Sequence, residues 1–592
     1  MKGILHFICI KSNLKKRLTI LLGLAFNIIA FTPVSAINRT SAASGNFTNA
    51  ASWMPAGIPS PGDVITITNN HILTVDNNIS VASITINTGG KLIWAAGKKL
   101  TISNGITING TADLIEGDID LTQSASFKIG AAGTLTWQPS NNSITGATLF
   151  TNGVEDFHPT STLIINKWYN YTNVPLGSVV TGNFGNLAVT TLSNGLLFEW
   201  NQNNQFQQHK ILGKFTIDQG WIVLDKSGSI SNTTIGEIYL KNVNSYLDLH
   251  SGDHAGTFKV TTNNLTNIGG TMNGIYNGNG NINFEVNGDV LNLGNIELIY
   301  NSGVQNTSNG NASIKVTGLY KQTHGDFRGI FNISSTSTGK VNMEFGSMEL
   351  TGGIFMAQYA CHTNNDLSTF LVHNDLILDY TNASSKFRCN GLNSLSGIQS
   401  NLKLQLTVEG NLYVKGNASA EFTSSASIGT ENVEIKGETT FEGCNSNFNY
   451  GTHLTNIVFH ENVSVKGGVT NLSKTDGSLN VTLNKNLTIQ SGQLNIKSDK
   501  GNATLNLLGN YSQSGGLMYF HFNDATATNN AVYLYVDGDF SILNGSLTFD
   551  NNSTSTASHI LAIAGNKFTT GGQAIITSAL SIANSVFSTI YF

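Results

Sequence analysis

The stretch Val536-Asp-Gly-Asp-Phe-Ser-Ile-Leu-Asn-Gly-Ser-Leu-Thr-Phe549 carries a frame that recurs along the chain. In this frame an apolar run leads to an anchor residue, usually Gly, and Asp or Asn follows. A second Gly comes six or seven residues after the anchor, before another apolar run. We place anchors 22 to 36 residues apart at Gly213, Lys241, Asn263, Gly288, Gly318, Gly346, Asn374, Gly410, Gly437, Glu461, Lys485, Gly509, Gly538 and Gly565. Such a period is typical of repeat proteins, in which each unit buries its apolar face against its neighbours.

Apolar residues alternate inside the frame, as in Phe540 and Ile542 or Leu547 and Phe549. Alternation with a period of two indicates strands with one buried face, and Gly or Asn at the anchors suits turns that need positive φ. Each repeat therefore reads as one coil of a β-solenoid. We predict an all-β chain that forms a right-handed parallel β-helix of about 20 coils, on the order of 100 Å long at ~4.8 Å per coil.

Asp or Asn after the anchors should cap turn amides in a ladder down one edge, with weak Ca²⁺ binding as a minor alternative. These residues are Asp289, Asp375, Asn411, Asn510 and Asp539.

Composition supports a packed, exported protein. Charged residues make up 11% of the chain, against roughly 25% in ordinary globular domains. Residues 1–36 have the layout of a secretory signal, with basic residues before an apolar run and Val34-Ser-Ala36 as a cleavage site; a membrane anchor is the alternative. Removing this segment leaves 26 basic and 36 acidic residues, a net charge of −10. That balance argues against nucleic acid as a partner, and no later segment is apolar enough to span a membrane. We expect a secreted or cell-surface location, on the exterior of an outer membrane.

Two cysteines occupy equivalent places in adjacent coils. Cys361 and Cys389 each lie 15 residues after their anchors, Gly346 and Asn374. Neighbouring strands are about 4.8 Å apart, within the Cα separation that a disulfide spans. The spacing is compatible with a bridge between two coils or with a stacked pair of reduced thiols. Cys444 has no partner in this scheme.

The spacing of Trp53, Gly57, Pro59, Gly62-Asp63, His71 and Asp76 resembles the opening of secreted bacterial surface proteins with β-helical repeats, and of the extracellular domain family named for its eight glycines. That resemblance implies an all-β module of surface proteins with a suspected carbohydrate-binding role. The run Asn186 to Val189, followed by Trp200 and Gly213 to Ile217, is similar to repeats of large secreted, adhesin-type proteins of gliding (Bacteroidetes-like) bacteria. From the residues themselves, we expect Trp53 to cover the first coil and Asp63 and His71 to satisfy turn backbone groups.

The chain divides into four segments. We predict a signal peptide over 1–36, an N-terminal cap and first coils over 37–140, an irregular insert over 141–181, and regular solenoid repeats over 182–592. The insert is placed where Pro159 and Pro175 and the aromatic residues Trp168, Tyr169 and Tyr171 interrupt the frame.

Candidate chemistry is sparse. The densest polar group is Asp248, His250, Asp253 and His254, a weak candidate for a metal site because an extended strand holds the two His roughly 13 Å apart. His324, Asp326 and Arg328 are better explained as solvated turn residues. The coil alignment shows no carboxylate pair of the kind that glycosidases need. We therefore predict no catalytic residues and no cofactor.

These observations favour a structural or adhesive β-solenoid that is not an enzyme and whose partners are glycans or other surface proteins. The alternative is a β-helix protein that binds or degrades polysaccharides. Turnover in a reducing-sugar assay would separate the two.

Overall fold

The computed structural model describes the chain from residue 36 to residue 575. The segments outside the description within that span are 123, 139–153, 169–182, 193–196, 200–209, 226–231, 252–255, 278–279, 302–309, 333–338, 360–366, 383, 392–402, 417–418, 423–430, 444, 450–453, 475–476, 499–500, 523–530, 551–558 and 570–572. The predicted all-β fold is confirmed: strands dominate, the described residues contain no α-helix, and they form a β-solenoid of about 15 turns. The winding hand and the count of about 20 coils stay predictions.

Two compact units divide the chain, 1–128 with 146–154, and 129–145 with 155–592. The first unit has one short 3₁₀ helix, Ala50–Ser52. Its strands are Asn38–Ser41, Gly45–Asn46, Trp53–Met54, Val64–Ile67, Ile72–Val75, Ile79–Ile86, Lys91–Trp94, Lys99–Ile108, Thr111–Ile115 and Asp118–Leu121. Two strands, Ser126–Ile129 and Val154–Phe157, contain residues assigned to both units.

Parallel pairing in register builds the first unit. Ile65 and Ile67 lie opposite Ile84 and Ile86, and all four side chains are buried. Intervening threonines such as Thr66 are only half-buried. Alternating Ile and Thr residues thus place one apolar face inside, as a half-buried strand requires.

Three parallel ladders build the second unit, and a complete coil supplies one strand to each. The coil at residues 503–521 shows this, since Ala503–Leu507, Tyr511–Gln513 and Leu517–His521 pair with Val532–Val536, Phe540–Ile542 and Ser546–Asp550 of the next coil. We call these the first, second and third ladders.

Some strands belong to one ladder and others run through a corner into the next. First-ladder strands are Asn281–Val286, Leu367–Val372, Lys403–Val408, Glu431–Ile435, Thr455–Phe459, Leu479–Leu483, Ala503–Leu507, Val532–Val536 and Ile560–Ile563. Second-ladder strands are Thr134–Gln138, Thr162–Trp168, Asn186–Leu192, Val290–Asn292, Leu376–Tyr380, Leu412–Gly416, Thr439–Glu442, Tyr511–Gln513, Phe540–Ile542 and Lys567–Thr569. Third-ladder strands are Leu197–Glu199, Gly220–Asp225, Ser245–Ser251, Thr271–Tyr276, Asn295–Asn301, Asp326–Asn332, Ile354–Tyr359, Lys386–Gly391, Ser419–Glu421, Asn445–Asn449, Leu517–His521, Ser546–Asp550 and Gln573–Ile575. Strands that serve the first and second ladders are Lys210–Ile217, Asn232–Leu240, Thr257–Asn267, Ala312–Gln322 and Val341–Leu350, and those that serve the second and third are Val463–Ser473 and Leu487–Lys497.

Stacked aromatic rings fill the interior of the second unit. Phe327, Phe355 and Phe387 occupy the same place in three successive coils, with ring centroids 4.6 Å and 5.7 Å apart. Phe345 and Phe370 approach this column from the first ladder, and all five side chains are buried. The repeat therefore shares one continuous apolar core between coils.

The polar residues that follow the anchors form the predicted ladder. Asp375 Oδ1 accepts from the backbone N–H of Asn411 at 2.9 Å, and Asn411 Oδ1 accepts from Glu438 N at 2.8 Å. Asn510 and Asp539 do the same for the coils that follow them. Each side chain thus caps the equivalent turn of the next coil, as the sequence predicts.

Strands of the third ladder also carry a row of buried asparagines that hydrogen-bond from coil to coil. Asn471 Nδ2 donates to Asn447 Oδ1 at 2.8 Å, and Asn495 Nδ2 donates to Asn471 Oδ1 at 2.7 Å. Asn471 is 7% exposed and Asn495 is fully buried. Each amide therefore satisfies its neighbours where water does not reach.

We expect Asn471→Ala to lower the free energy of unfolding by about 2–4 kcal/mol, because it leaves polar atoms of Asn447 and Asn495 buried without their partner. The matched control is Asn480→Ala. Asn480 Nδ2 donates to Asn456 Oδ1 of the preceding coil at 3.2 Å, but this bond lies at an exposed position of the first ladder. This variant should change stability by no more than about 0.5 kcal/mol. Urea unfolding followed by circular dichroism compares the two, and equal midpoints would contradict the argument.

Part of the predicted insert 141–181 is regular solenoid. Thr162–Trp168 pairs in parallel with Thr134–Gln138 on one side and Asn186–Leu192 on the other. Leu163 and Ile165 alternate into the core. The alternating run Thr-Leu-Ile-Ile outweighs the prolines and aromatic residues around it, so this expectation was wrong for 162–168; residues 141–153 and 169–181 lie outside the described chain.

The predictions for the N-terminal signal and for the cysteines fall mostly on residues outside the described chain. The predicted signal is undescribed apart from residue 36. Cys389 is buried in Lys386–Gly391, whereas Cys361 and Cys444 lie outside the described residues, so the bridge stays a prediction. No helix in the described ranges is long and apolar enough to cross a membrane.

Candidate functional site

The proposed metal cluster divides between described and undescribed residues. Asp248 and His250 lie in Ser245–Ser251 and are buried, whereas Asp253 and His254 fall outside the described chain. His250 Nδ1 lies 3.0 Å from Asp225 Oδ2 on the preceding coil. Within the ranges that the structure describes, no three His, Cys, Asp or Glu side chains are arranged to hold a metal ion.

The residues behind the N-terminal resemblance have internal partners. Trp53 is 2% exposed, and its Nε1 donates to the carbonyl of Phe47 at 2.8 Å. Asp63 is fully buried and accepts from backbone N–H groups. His71 Nδ1 lies 2.8 Å from Ser41 Oγ. These contacts agree with the structural roles expected for Trp53 and Asp63, whereas the His71 ring bonds to the hydroxyls of Ser41 and Thr68 rather than to turn backbone groups.

A groove on the outer side of the third ladder brings together aromatic and polar side chains from successive coils. Its volume is about 600 Å³, within the range of small-molecule sites. We call it the Trp221 groove. It is lined by Gln219, Gly220, Trp221, Asn244, Tyr246, Thr271, Asn273, Tyr276, Asn295, Glu297, Tyr300 and Arg328.

Four aromatic side chains form the apolar part of the groove. Tyr276 and Tyr300 stack with centroids 5.2 Å apart, and the Trp221 ring meets Tyr276 edge-on at 5.3 Å. Tyr246, one coil beyond Trp221 in the same row, is 42% exposed. Parallel pairing in register places such residues side by side, one per coil.

A polar row crosses the floor of the groove. Asp248, Asn273, Glu297 and Arg328 follow one another in register on four coils. The Asp248 carboxylate accepts from Trp221 Nε1 at 2.5 Å and from Asn273 Nδ2 at 2.6 Å. Glu297, which is 6% exposed, accepts from Arg328 Nη1 at 2.7 Å.

Burial changes the acidity of both carboxyls in this row. It raises the pKa of Asp248 to about 7 despite the hydrogen bonds from Asn273 and Trp221, which oppose the change. Burial also raises the pKa of Glu297, against the opposing charge and hydrogen bond of Arg328. An acid with a pKa near 7 suits proton transfer, but Asp248 is fully buried and does not line the groove. Asp248 therefore holds Trp221 and Asn273 in position.

Arg328 is not the solvated turn residue that the sequence indicates. Its Nη2 lies 2.6 Å from Asp326 Oδ2, and its Nη1 bonds to Glu297 on the preceding coil. His324, in contrast, is exposed as expected. The pattern His-Gly-Asp-Phe-Arg thus contributes the charged end of the groove.

The Trp221 groove was not predicted because its residues are spread over successive coils. Asn273, Glu297 and Arg328 each stand three residues after the second Gly of their frame, at Gly270, Gly294 and Gly325. Alignment on the second Gly rather than on the anchor would have placed them in one row. Asp248 and Glu297 share that row two coils apart, an alignment that the sequence did not reveal.

Comparison with known proteins finds one family. The profile of the G8 domain matches residues 52–155, which overlaps the stretch that carries the N-terminal resemblance. No curated protein and no solved structure matches the chain. G8 domains are typically extracellular, which is consistent with a secreted protein. Similarity to this family over residues 52–155 is consistent with an extracellular structural protein, and the Trp221 groove lies outside the matched residues.

Proposed function

We propose that this chain is a secreted, adhesive β-solenoid protein that binds glycans through the Trp221 groove. The observation that carries the proposal is the combination of Trp221, Tyr246, Tyr276 and Tyr300 with hydrogen-bonding groups in one groove. Aromatic faces cover the apolar C–H faces of sugar rings, and polar groups beside them bind the hydroxyls. The similarity to an extracellular domain family supports an encounter with glycans outside the cell.

Binding without turnover fits the geometry better than hydrolysis. Asp248 and Glu297 are two coils apart, about 10 Å between Cα atoms at ~4.8 Å per coil. Asp248 is enclosed by the floor of the groove, and Glu297 is paired with Arg328. Neither carboxyl is placed as the general acid that glycoside hydrolysis needs. These two carboxyls of the Trp221 groove therefore favour the binding proposal over the degrading alternative.

The first test is a glycan array followed by titration calorimetry and a reducing-sugar assay on the best ligand. Saturable binding without new reducing ends is expected. Turnover would replace the adhesive function with the enzymatic one, and binding to none of the glycans would refute the proposal.

We expect Tyr246→Ala to weaken glycan binding by at least about fivefold, because an aromatic ring that a bound ligand covers often contributes more than 1 kcal/mol. Tyr535→Ala is the matched control, since Tyr535 is 39% exposed and Tyr246 is 42% exposed, but Tyr535 lies on the first ladder outside the groove. Titration calorimetry on both variants measures the difference. Equal losses in the two variants would place the glycan elsewhere.

A further inference from the structure

The floor of the Trp221 groove presents hydrogen-bond acceptors. Asn273 is 5% exposed, and its Oδ1 is buried without a hydrogen-bond partner although the residue lines the groove. Its Nδ2 donates to Asp248 Oδ1 at 2.6 Å, which leaves Oδ1 as the amide atom without a partner. The unpartnered oxygen of Asn273 therefore lies in the floor of the groove, where a donor on a bound ligand would satisfy it.

The charges around this acceptor are predominantly negative. Arg328 is the only cation among the described lining residues, and its guanidinium lies between the carboxylates of Glu297 and Asp326, 2.7 Å and 2.6 Å away. Like charges close together repel strongly in a poorly hydrated site. An anionic ligand would therefore meet repulsion that the occupied Arg328 does not offset.

We propose that the Trp221 groove selects glycan units that carry no negative charge and present hydroxyl or amino donors to Asn273 and Glu297, and that it rejects uronic acid and sulfated units. This specificity rests on the proposed function. The stacked Tyr276 and Tyr300 supply contact with any sugar ring, whereas the acceptor floor discriminates between sugars. An unpaired buried acceptor on the protein strongly disfavours a ligand that lacks the matching donor.

The test compares four probes of similar length with the full chain: a neutral glucan oligosaccharide, a chitosan oligosaccharide, an oligogalacturonate and a dextran sulfate. We expect neutral or amino probes to bind at least tenfold more tightly than the anionic ones at low salt. Tighter binding of an anionic probe would overturn the specificity and leave glycan binding intact. If no probe binds, both this inference and the proposed function fail.

A variant that removes one negative charge from the groove tests the charge selectivity directly. Glu297→Gln keeps the size of the side chain and removes one of the two carboxylates at Arg328, so it should strengthen oligogalacturonate binding at least fivefold. Glu349→Gln is the control, because Glu349 pairs with Lys321 at 2.7 Å outside the groove. Circular dichroism establishes that both variants are folded.

A second variant, Asn273→Ala, tests the same proposal if Glu297→Gln does not fold. Asn273→Ala removes the buried acceptor, and we expect it to reduce neutral glycan binding about tenfold. Unchanged binding by Asn273→Ala would show that the acceptor floor does not contact the sugar.

Discussion

Replacement of Phe355 by Ala is expected to destabilise the central coils by about 3–5 kcal/mol. Phe355 is fully buried and stacks on Phe327 at 4.6 Å and on Phe387 at 5.7 Å, while Phe370 contacts it from the first ladder at 5.5 Å. Truncation leaves a cavity that two neighbouring coils line. Because each coil of a solenoid is stabilised by its immediate neighbours, the effect should be largest in the coils around Phe355.

Amide hydrogen exchange measured by mass spectrometry tests this locality. Protection should fall in Asp326–Asn332, Ile354–Tyr359 and Lys386–Gly391 more than in Val532–Val536. The control is Leu508→Ala, which removes an apolar side chain that is 51% exposed and should cost no more than about 0.5 kcal/mol. A loss no larger in Phe355→Ala than in Leu508→Ala would argue against a shared aromatic core.

The repeat frame made the fold predictable because its spacing encodes register. Gly and Asp or Asn at recurring offsets indicate the turns of the repeat, and alternation indicates its apolar face, so Asp375 and Asn411 could be assigned to one ladder from sequence alone. The apolar column of Phe327 and Phe355 follows from the same frame. The prediction of an irregular insert was wrong at 162–168, because it gave more weight to nearby prolines than to the alternating strand pattern.

The groove could not be predicted in the same way because its chemistry arises between coils. Trp221 and Asp248 are 27 residues apart and become partners only through inter-coil pairing. Alternation of apolar and polar residues does not indicate that Glu297 is buried beside Arg328. Sequence therefore locates the rows, and the structure shows which rows are enclosed.

The second large effect is expected at the buried ion pair of the first unit. Arg39 Nε lies 2.7 Å from Asp63 Oδ2, with side chains 8% and 0% exposed. Asp63→Ala leaves the Arg39 charge buried without its carboxylate, although Arg39 Nη1 still donates to the carbonyl of Pro55, and we expect a loss of about 3–5 kcal/mol. Hydrogen exchange in Val64–Ile67 and Ile79–Ile86 reports it. Asp113→Ala, which breaks the more exposed pair with Lys91, should cost no more than about 1 kcal/mol.

Acid provides an independent measure of the same pair. Burial alone raises the pKa of Asp63, but the hydrogen bonds from Arg39 and from the backbone of Ser60 and Ile37 outweigh it, so the pKa lies below its ordinary value of 3.8. A carboxyl with a lowered pKa in the folded state stabilises above its ordinary pKa, and this contribution is lost as the pH falls through the folded value. Wild-type stability in this unit should therefore decline below about pH 4 more steeply than that of Asp63→Ala.

The double variant Arg39→Met with Asp63→Ala identifies the origin of the cost. If the loss in Asp63→Ala comes mainly from an uncompensated guanidinium, removing that charge should restore part of the stability, because a buried pair replaced by apolar groups is often close to neutral. The backbone N–H groups of Ile37 and Ser60 remain without their acceptor in both variants, so recovery should be incomplete. A double variant no more stable than Asp63→Ala would assign the whole effect to these backbone contacts.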